Sequence, residues 1–112
     1  MVDKQYEMTV CIVNAGFSEV VMDAARKAGA GGGTVLHGRG TASREAEEQF
    51  KIQIQPEKEL VLLLVKKEIR DNVLRAIYDA AGLDTSGQGI AFSLPVEQTL
   101  GLRGKERENG NS

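Results

Sequence analysis

Apolar and polar residues alternate early in the chain. Tyr6, Met8, Val10 and Ile12 alternate with Glu7, Thr9, Cys11 and Val13, which predicts a strand with one strongly apolar face. The period then changes to that of a helix. Ser18 stands as an N-cap, with Phe17 before it and Met22 four residues after it, placed as a hydrophobic staple. Val21, Ala24, Ala25 and Ala28 follow at helical spacing, and Gly29 ends the helix where a left-handed residue is wanted. Residues 34–37 predict a short second strand. Residues 38–48 offer almost nothing to bury and read as a mobile loop. Phe50, Ile52 and Ile54 alternate with Lys51, Gln53 and Gln55, a third strand with one wet face, and Pro56-Glu57-Lys58 reads as a turn. Residues 60–65 are continuously apolar, as in a central strand covered on both faces. A second helix is predicted from about Ile69 to Ala81, with Ile69, Val73, Ala76, Ile77 and Ala80 on one face and Gly82 ending it. Residues 90–96 form the last strand, stopped or edged by Pro95. Residues 104–112 contain no apolar side chain and read as a frayed tail, leaving 1–103 as one domain.

The two halves repeat. An offset of 53 pairs Met8, Val10 and Ile12 with Val61, Leu63 and Val65, and pairs Gly29 with Gly82. Gly33-Thr34-Val35-Leu36 corresponds to Gly89-Ile90-Ala91-Phe92. Two β-α-β units interleave into a four-stranded antiparallel sheet with both helices on one face, an α+β, ferredoxin-like βαββαβ sandwich. The other sheet face needs a partner, and oligomerisation is expected to cover it.

Composition narrows this little further. A chain of 112 residues supports one domain, and 41% apolar residues suits a globular core. The net charge of −2 gives no general field for nucleic acid, while a local basic site for a small anion stays open. The lone Cys11 lies in an apolar run and reads as a buried structural thiol in a reducing compartment. The start MVDKQYEM lacks a signal-peptide pattern, and no apolar run approaches a membrane span, so a cytoplasmic protein is expected.

Three stretches carry candidate chemistry. In Gly38-Arg39-Gly40-Thr41, glycines allow close backbone approach and Arg39 supplies a fork for phosphate or carboxylate; the plain alternative is a glycine-rich turn. Ser86-Gly87-Gln88-Gly89 can form a nest of N–H groups for phosphate, or simply return the chain from helix to strand. The mixed charges of Arg44-Glu45-Ala46-Glu47-Glu48 fit a solvated loop or an arm that touches a partner protein. His37 is the sole histidine and reads as structural or hydrogen-bonding. With no second His and no spaced acid pair, neither a metal site nor a catalytic constellation is predicted.

Together, His37-Gly38-Arg39-Gly40-Thr41 and the stretch from Gly82-Leu83-Asp84 through Gly87-Gln88-Gly89 to Gly101-Leu102 resemble the PII signal-transduction proteins, specifically a PII-like branch with a His-x-Arg-Gly-Thr motif. The resemblance covers about residues 6–103. It implies a cytoplasmic homotrimer with adenine nucleotides (ATP, ADP or AMP, with or without Mg²⁺) in clefts between subunits. A T-loop at about residues 40–54 would dock on a target transporter or enzyme. Carried over by position, Thr34 contacts adenine, and Ile12 and Val65 supply apolar or backbone contacts around the base. Gly38, Arg39 and Gly40 form the phosphate end of the T-loop, Gly87, Gln88 and Gly89 the phosphate-holding B-loop, and Arg103 a C-terminal phosphate contact. The chain departs from the family at Ile90, where a Lys is usual, and at Gly101, where an Arg is usual. Two phosphate-binding cations are therefore missing, each worth about 1.5–3 kcal/mol. The T-loop holds no Tyr for uridylylation, and Gly40 or Thr41 replaces the Gln used for 2-oxoglutarate. Two other functions stay open: a weak nucleotide hydrolase using Glu47, Glu48 or His37, and a module sensing another small anion such as bicarbonate.

Overall fold

Tyr6–Asn14 form β1 and Ser18–Lys27 form α1. Gly33–Arg39 form β2, Glu57–Lys66 form β3, Arg70–Ala81 form α2 and Gly89–Pro95 form β4. The computed structural model describes residues 5–41, 48, 56–85 and 87–102. The expected strand at residues 50–54, the tail at 104–112, Ser86, Arg103 and all of the Arg44–Glu48 run but Glu48 lie outside the described residues. The strands form one sheet in the order β2-β3-β1-β4, each neighbour antiparallel, which is the expected ferredoxin-like arrangement.

Both helices cover one face. Cys11 and Val13 of β1 and Val61, Leu63 and Val65 of β3 pack there against Val21, Met22 and Ala25 of α1 and Val73, Ile77 and Ala81 of α2. Cys11 is fully buried, as expected, and burial pushes its thiol up to about 11, so it stays protonated at neutral pH. Spacings of four along α2 select Val73, Ile77 and Ala81, whereas the expected Ala80 is exposed.

Strand parity corrects the repeat. Met8, Val10 and Ile12 lie on the face away from the helices, opposite Leu64, Leu62 and Leu60. Buried positions therefore correspond at an offset of 52: Cys11 with Leu63, Val13 with Val65, Val21 with Val73. The offset of 53 pairs residues on opposite faces, because a one-residue slip inverts every strand side chain. Residues 60–65 are likewise covered on one face only in the single chain. Leu64 is 40% exposed, and across the sheet Leu36, Ile90, Phe92 and Leu94 join a continuous apolar face.

Two further expectations give way to pairing across the sheet. Glu57 and Lys58 are strand, not turn, because Arg39 and Gly38 of β2 pair with them and Asn14 of β1 extends opposite Lys58. Phe17, not Ser18, holds the N-cap position of α1, without a local side-chain cap. Glu59 of β3 serves instead. Its Oε1 accepts from the amides of Gly16 at 3.0 Å and Ser18 at 3.2 Å, a carboxylate at the positive end of the helix.

A buried carboxylate, Glu7, ties the opposite end together. Arg70 Nη1 donates to both oxygens of Glu7, at 2.8 and 2.9 Å, and the Ser93 hydroxyl donates to Glu7 Oε1 at 2.7 Å. The Arg70 bond, then that from Ser93, holds the Glu7 carboxyl below the usual range, and the amide of Gly16 followed by Ser18 does the same for Glu59. A lowered folded-state value gives stability that is complete above the unfolded value, near 4.3. That stability is lost as the pH falls through the folded value. Between pH 5 and pH 2 the wild type is therefore expected to lose thermal stability more steeply than Glu7→Gln or Glu59→Gln. Unfolding curves taken at half-unit intervals would measure this; parallel slopes would refute it.

Thr9 is fully buried, and its hydroxyl finds no hydrogen-bond partner among the described residues. An isosteric Thr9→Val exchange removes an unpaired polar group and is expected to stabilise by about 1 kcal/mol. Denaturant unfolding would register this as a higher midpoint at an unchanged slope.

Candidate functional site

The antiparallel register brings the ends of all four strands to one end of the sheet. There Gly38 pairs with Lys58, Lys58 with Asn14, and Val13 with Gly89. Gly38, Arg39 and Gly40 thus sit at one edge and Gly87, Gln88 and Gly89 at the other, with Ile12 between them on the open face, beside Ile90. Two of these three groups were expected to hold phosphate. They share an end but not an edge: three strand spacings, about 14 Å, separate β2 from β4.

At the β2–β3 edge the chain leaves and re-enters through a closed neck. The Gly40 amide donates to Pro56 O at 2.6 Å. A Cβ at Gly40 would lie 2.8 Å from Lys58 Cε, so the glycine makes room for the lysine stem. Arg39 is exposed and has no hydrogen-bond or ion-pair partner among the described residues. Alternation places it on the helix side of the sheet, with Val35 and His37, while Lys58 lies on the open side. His37 is largely exposed, its Nδ1 3.8 Å from Glu59 Oε2, and is a neighbour of that carboxylate rather than its hydrogen-bond partner.

At the other edge Gly87 has φ +84° and Gly89 φ +148°. The Gln88 amide, one of the groups expected to hold phosphate, donates to Thr85 O at 3.2 Å. Between the edges runs a row of side chains that sequence reasoning missed. Lys58 Nζ donates to Asn14 Oδ1 at 2.6 Å, and Asn14 Nδ2 donates to Gly87 O at 3.2 Å. Lys58 was hidden by its turn-like neighbours Pro56 and Glu57. The signal that could have found Asn14 is a polar residue closing an apolar alternation.

Thr34 and Val65 stand apart from this end. Thr34 is on the open face of β2, opposite Leu62. The Val65 side chain is buried under the helices, and its amide and carbonyl face Glu7 of β1 in the ladder. β2 pairing begins at Gly33 opposite Leu63, so the main-chain groups left open toward the β2 side are those of its neighbours Leu64 and Lys66. The notch beside Gly33 and Thr34 suits a flat group read by main-chain hydrogen bonds.

Residues 7–106 match the family model described as nitrogen regulatory protein P-II. The chain belongs to this family. No curated protein matches it. Among solved structures it is similar to Arabidopsis thaliana PII bound to citrate, at 25% identity over 91% of this chain and 84% of that one, with a TM-score of 0.69. It shares its fold with CPII from Thiomonas intermedia K12, bound to ADP, AMP and acetate, at 13% identity over 85% of this chain and 89% of that one, with a TM-score of 0.63. The stretches 37–41 and 82–102, which carried the resemblance, span the end of β2 with its exit, and the approach to β4, β4 itself and the residues after it. Among the described residues no helix is long and apolar enough to cross a membrane, and no three His, Cys, Asp or Glu side chains are grouped to hold a metal.

Proposed function

We propose that this P-II protein is a non-enzymatic cytoplasmic signalling protein. Three copies bind adenine nucleotides in the clefts between them, and the loop at about residues 40–54 carries the bound state to a partner transporter or enzyme. One observation carries the reading. Both glycine-framed phosphate candidates lie at the same end of the sheet but on opposite edges. In this reading a single nucleotide uses both, with one edge supplied by a neighbouring subunit. The apolar sheet face supplies the surface through which such neighbours associate. The relative solved with ADP and AMP supports the ligand class.

Within this cleft, Thr34 and the open backbone beside Val65, at Leu64 and Lys66, read the base from one subunit, and Ile12 supplies apolar contact from the next. Arg39 grips phosphate from one subunit, and Gly87, Gln88 and Gly89 present amides from the next, the Gln88 amide exchanging Thr85 O for the ligand. Arg103 would add a second cation. Because Ile90 and Gly101 supply none, ATP is expected to bind within about tenfold of ADP. Calorimetry with ATP, ADP, AMP and cyclic AMP tests the reading. Arg39→Ala is expected to weaken ATP binding about 10- to 100-fold. Heat from bicarbonate with none from any nucleotide at millimolar concentration would replace it with a small-anion sensor.

A further inference from the structure

At the end of the sheet far from the glycine-framed loops, β1 begins between two segments that part from it. On one side Lys67, just after β3, donates its amide to Gln5 O at 2.8 Å and enters the short turn that leads to α2. On the other, β4 ends at Pro95 opposite Glu7, and the Val96 amide donates to Tyr6 O at 3.3 Å. Between them lies a cavity of about 300 Å³, lined by Tyr6, Glu7, Lys67, Pro95, Val96 and Glu97. That volume is at the lower end of what small-molecule sites enclose. Glu7 is 7% exposed, and its carboxylate is not saturated. Its Oε1 accepts two hydrogen bonds, from Arg70 and Ser93, whereas Oε2 accepts one, from Arg70. A carboxylate oxygen has room for two, so among the described residues one acceptor position on Oε2 is left over. The Arg70 hydrogen bond, then that of Ser93, keeps this carboxyl ionised, and the nearby Lys67 charge adds to their effect.

We propose that this cavity takes the zwitterionic head of a small aliphatic amino acid. The ligand ammonium donates to Glu7 Oε2 and to the Glu97 carboxylate. Its carboxylate lies on the Lys67 ammonium, and its aliphatic body rests on Pro95, Val96 and the Tyr6 ring. The charges select this class, because the lining carries two carboxylates and one ammonium. A lone anion such as phosphate would face both Glu7 and Glu97, and a lone amine would meet Lys67 as a like charge. A molecule with both signs a few bonds apart pairs all three groups. The wall between them is apolar, which favours an aliphatic side chain over a charged one. The Glu7 carboxylate is already out of water, so completing its hydrogen bonding costs little further desolvation. The cavity lies at the other end of the strands from Arg39 and residues 87–89, and the inference does not depend on the nucleotide reading.

The test is a nuclear magnetic resonance titration of the full-length protein with L-alanine, L-valine and L-leucine, reading the backbone amides of Lys67 and Val96. Saturable shifts at both are expected with at least one of the three. Isoamylamine, which is leucine without the carboxylate, and isocaproate, which is leucine without the ammonium, should each bind at least about tenfold more weakly than L-leucine. Glu7→Gln removes the buried charge but also breaks the Arg70 pair, so two variants at exposed positions carry the decision. Lys67→Met and Glu97→Gln are each expected to weaken the bound amino acid about tenfold with unchanged circular dichroism. Lys67→Met should not weaken isoamylamine, which makes no use of the lysine. Absence of shifts from all three amino acids at about 10 mM would overturn the proposal. So would shifts confined to residues away from the cavity, equal binding of leucine and its two truncated analogues, or unchanged affinity in either variant.

Discussion

Gly89→Ala is expected to destabilise the protein by about 3 kcal/mol or more, a loss of about 10 °C or more in Tm. Two independent costs combine there. Gly89 holds φ +148°, a conformation that L side chains rarely adopt. An added Cβ would also collide with the carbonyl oxygen of Ile12, and would lie 3.1 Å from both Cα and Cγ1 of Val13. The contact is with backbone in the central strand, so it cannot relax by turning a side chain. The strand β4 must move off β1, and with it the loop that carries Gly87 and Gln88. Gly31→Ala is the control. A Cβ at Gly31 meets nothing within 4 Å, and the change is expected within about 0.5 kcal/mol of neutral. Thermal unfolding of the two variants at matched protein concentration measures the contrast. Equal stabilities would mean that β4 does not lie against β1 as described.

Phe92→Glu is expected to convert the assembly to single chains. Phe92 lies on the open sheet face opposite Val10 and is 39% exposed in the single chain, so a carboxylate there can stay hydrated when the chain is alone. In a trimer sealed by this face the same carboxylate would be buried among Leu60, Leu62, Leu64 and Leu94 of the joined sheets, once per subunit. An isolated buried charge costs several kcal/mol, enough to outweigh much of an interface of ordinary size. Light scattering should give three times the 12.1 kDa chain mass for the wild type and the single-chain mass for the variant, with the same far-ultraviolet circular dichroism. A trimeric Phe92→Glu would place the subunit contact elsewhere.

The sequence made the helices and the duplicated plan legible because their signals are local. Gly29 and Gly82 both take positive φ at the helix ends, and the paired runs at 33–36 and 89–92 fall on equivalent edge strands with matching faces. What escaped is what neighbouring strands decide. Met8, Val10 and Ile12 are more apolar than Thr9, Cys11 and Val13, yet the helices cover the latter. Hydrophobicity cannot distinguish a face meant for helices from one meant for another subunit. Pro56, Glu57 and Lys58 are turn formers whose state is set by β2 and β1 pairing on either side. Glu59, which carries no signal in the sequence, caps the start of α1 from across the fold. The same limit applied to the site. Gly38–Gly40 and Gly87–Gly89 were recognisable as phosphate candidates, but only the strand order shows that one subunit holds them on opposite edges. Asn14, which bridges the row between them, carries no motif at all.

The most direct test of an inter-subunit site is complementation in mixed assemblies. Arg39→Ala damages one edge of each subunit, and Gly87→Asp places a carboxylate in the other. Each variant alone should bind ATP at least tenfold more weakly than wild type. After unfolding and refolding the two together, a cleft formed by the intact Arg39 of one chain and the intact residues 87–89 of the other is whole. Calorimetry on the mixture should then recover wild-type affinity at a fraction of the sites. Recovery of no high-affinity sites in demonstrably mixed trimers would contradict the account, because it would mean that each site is built within a single chain.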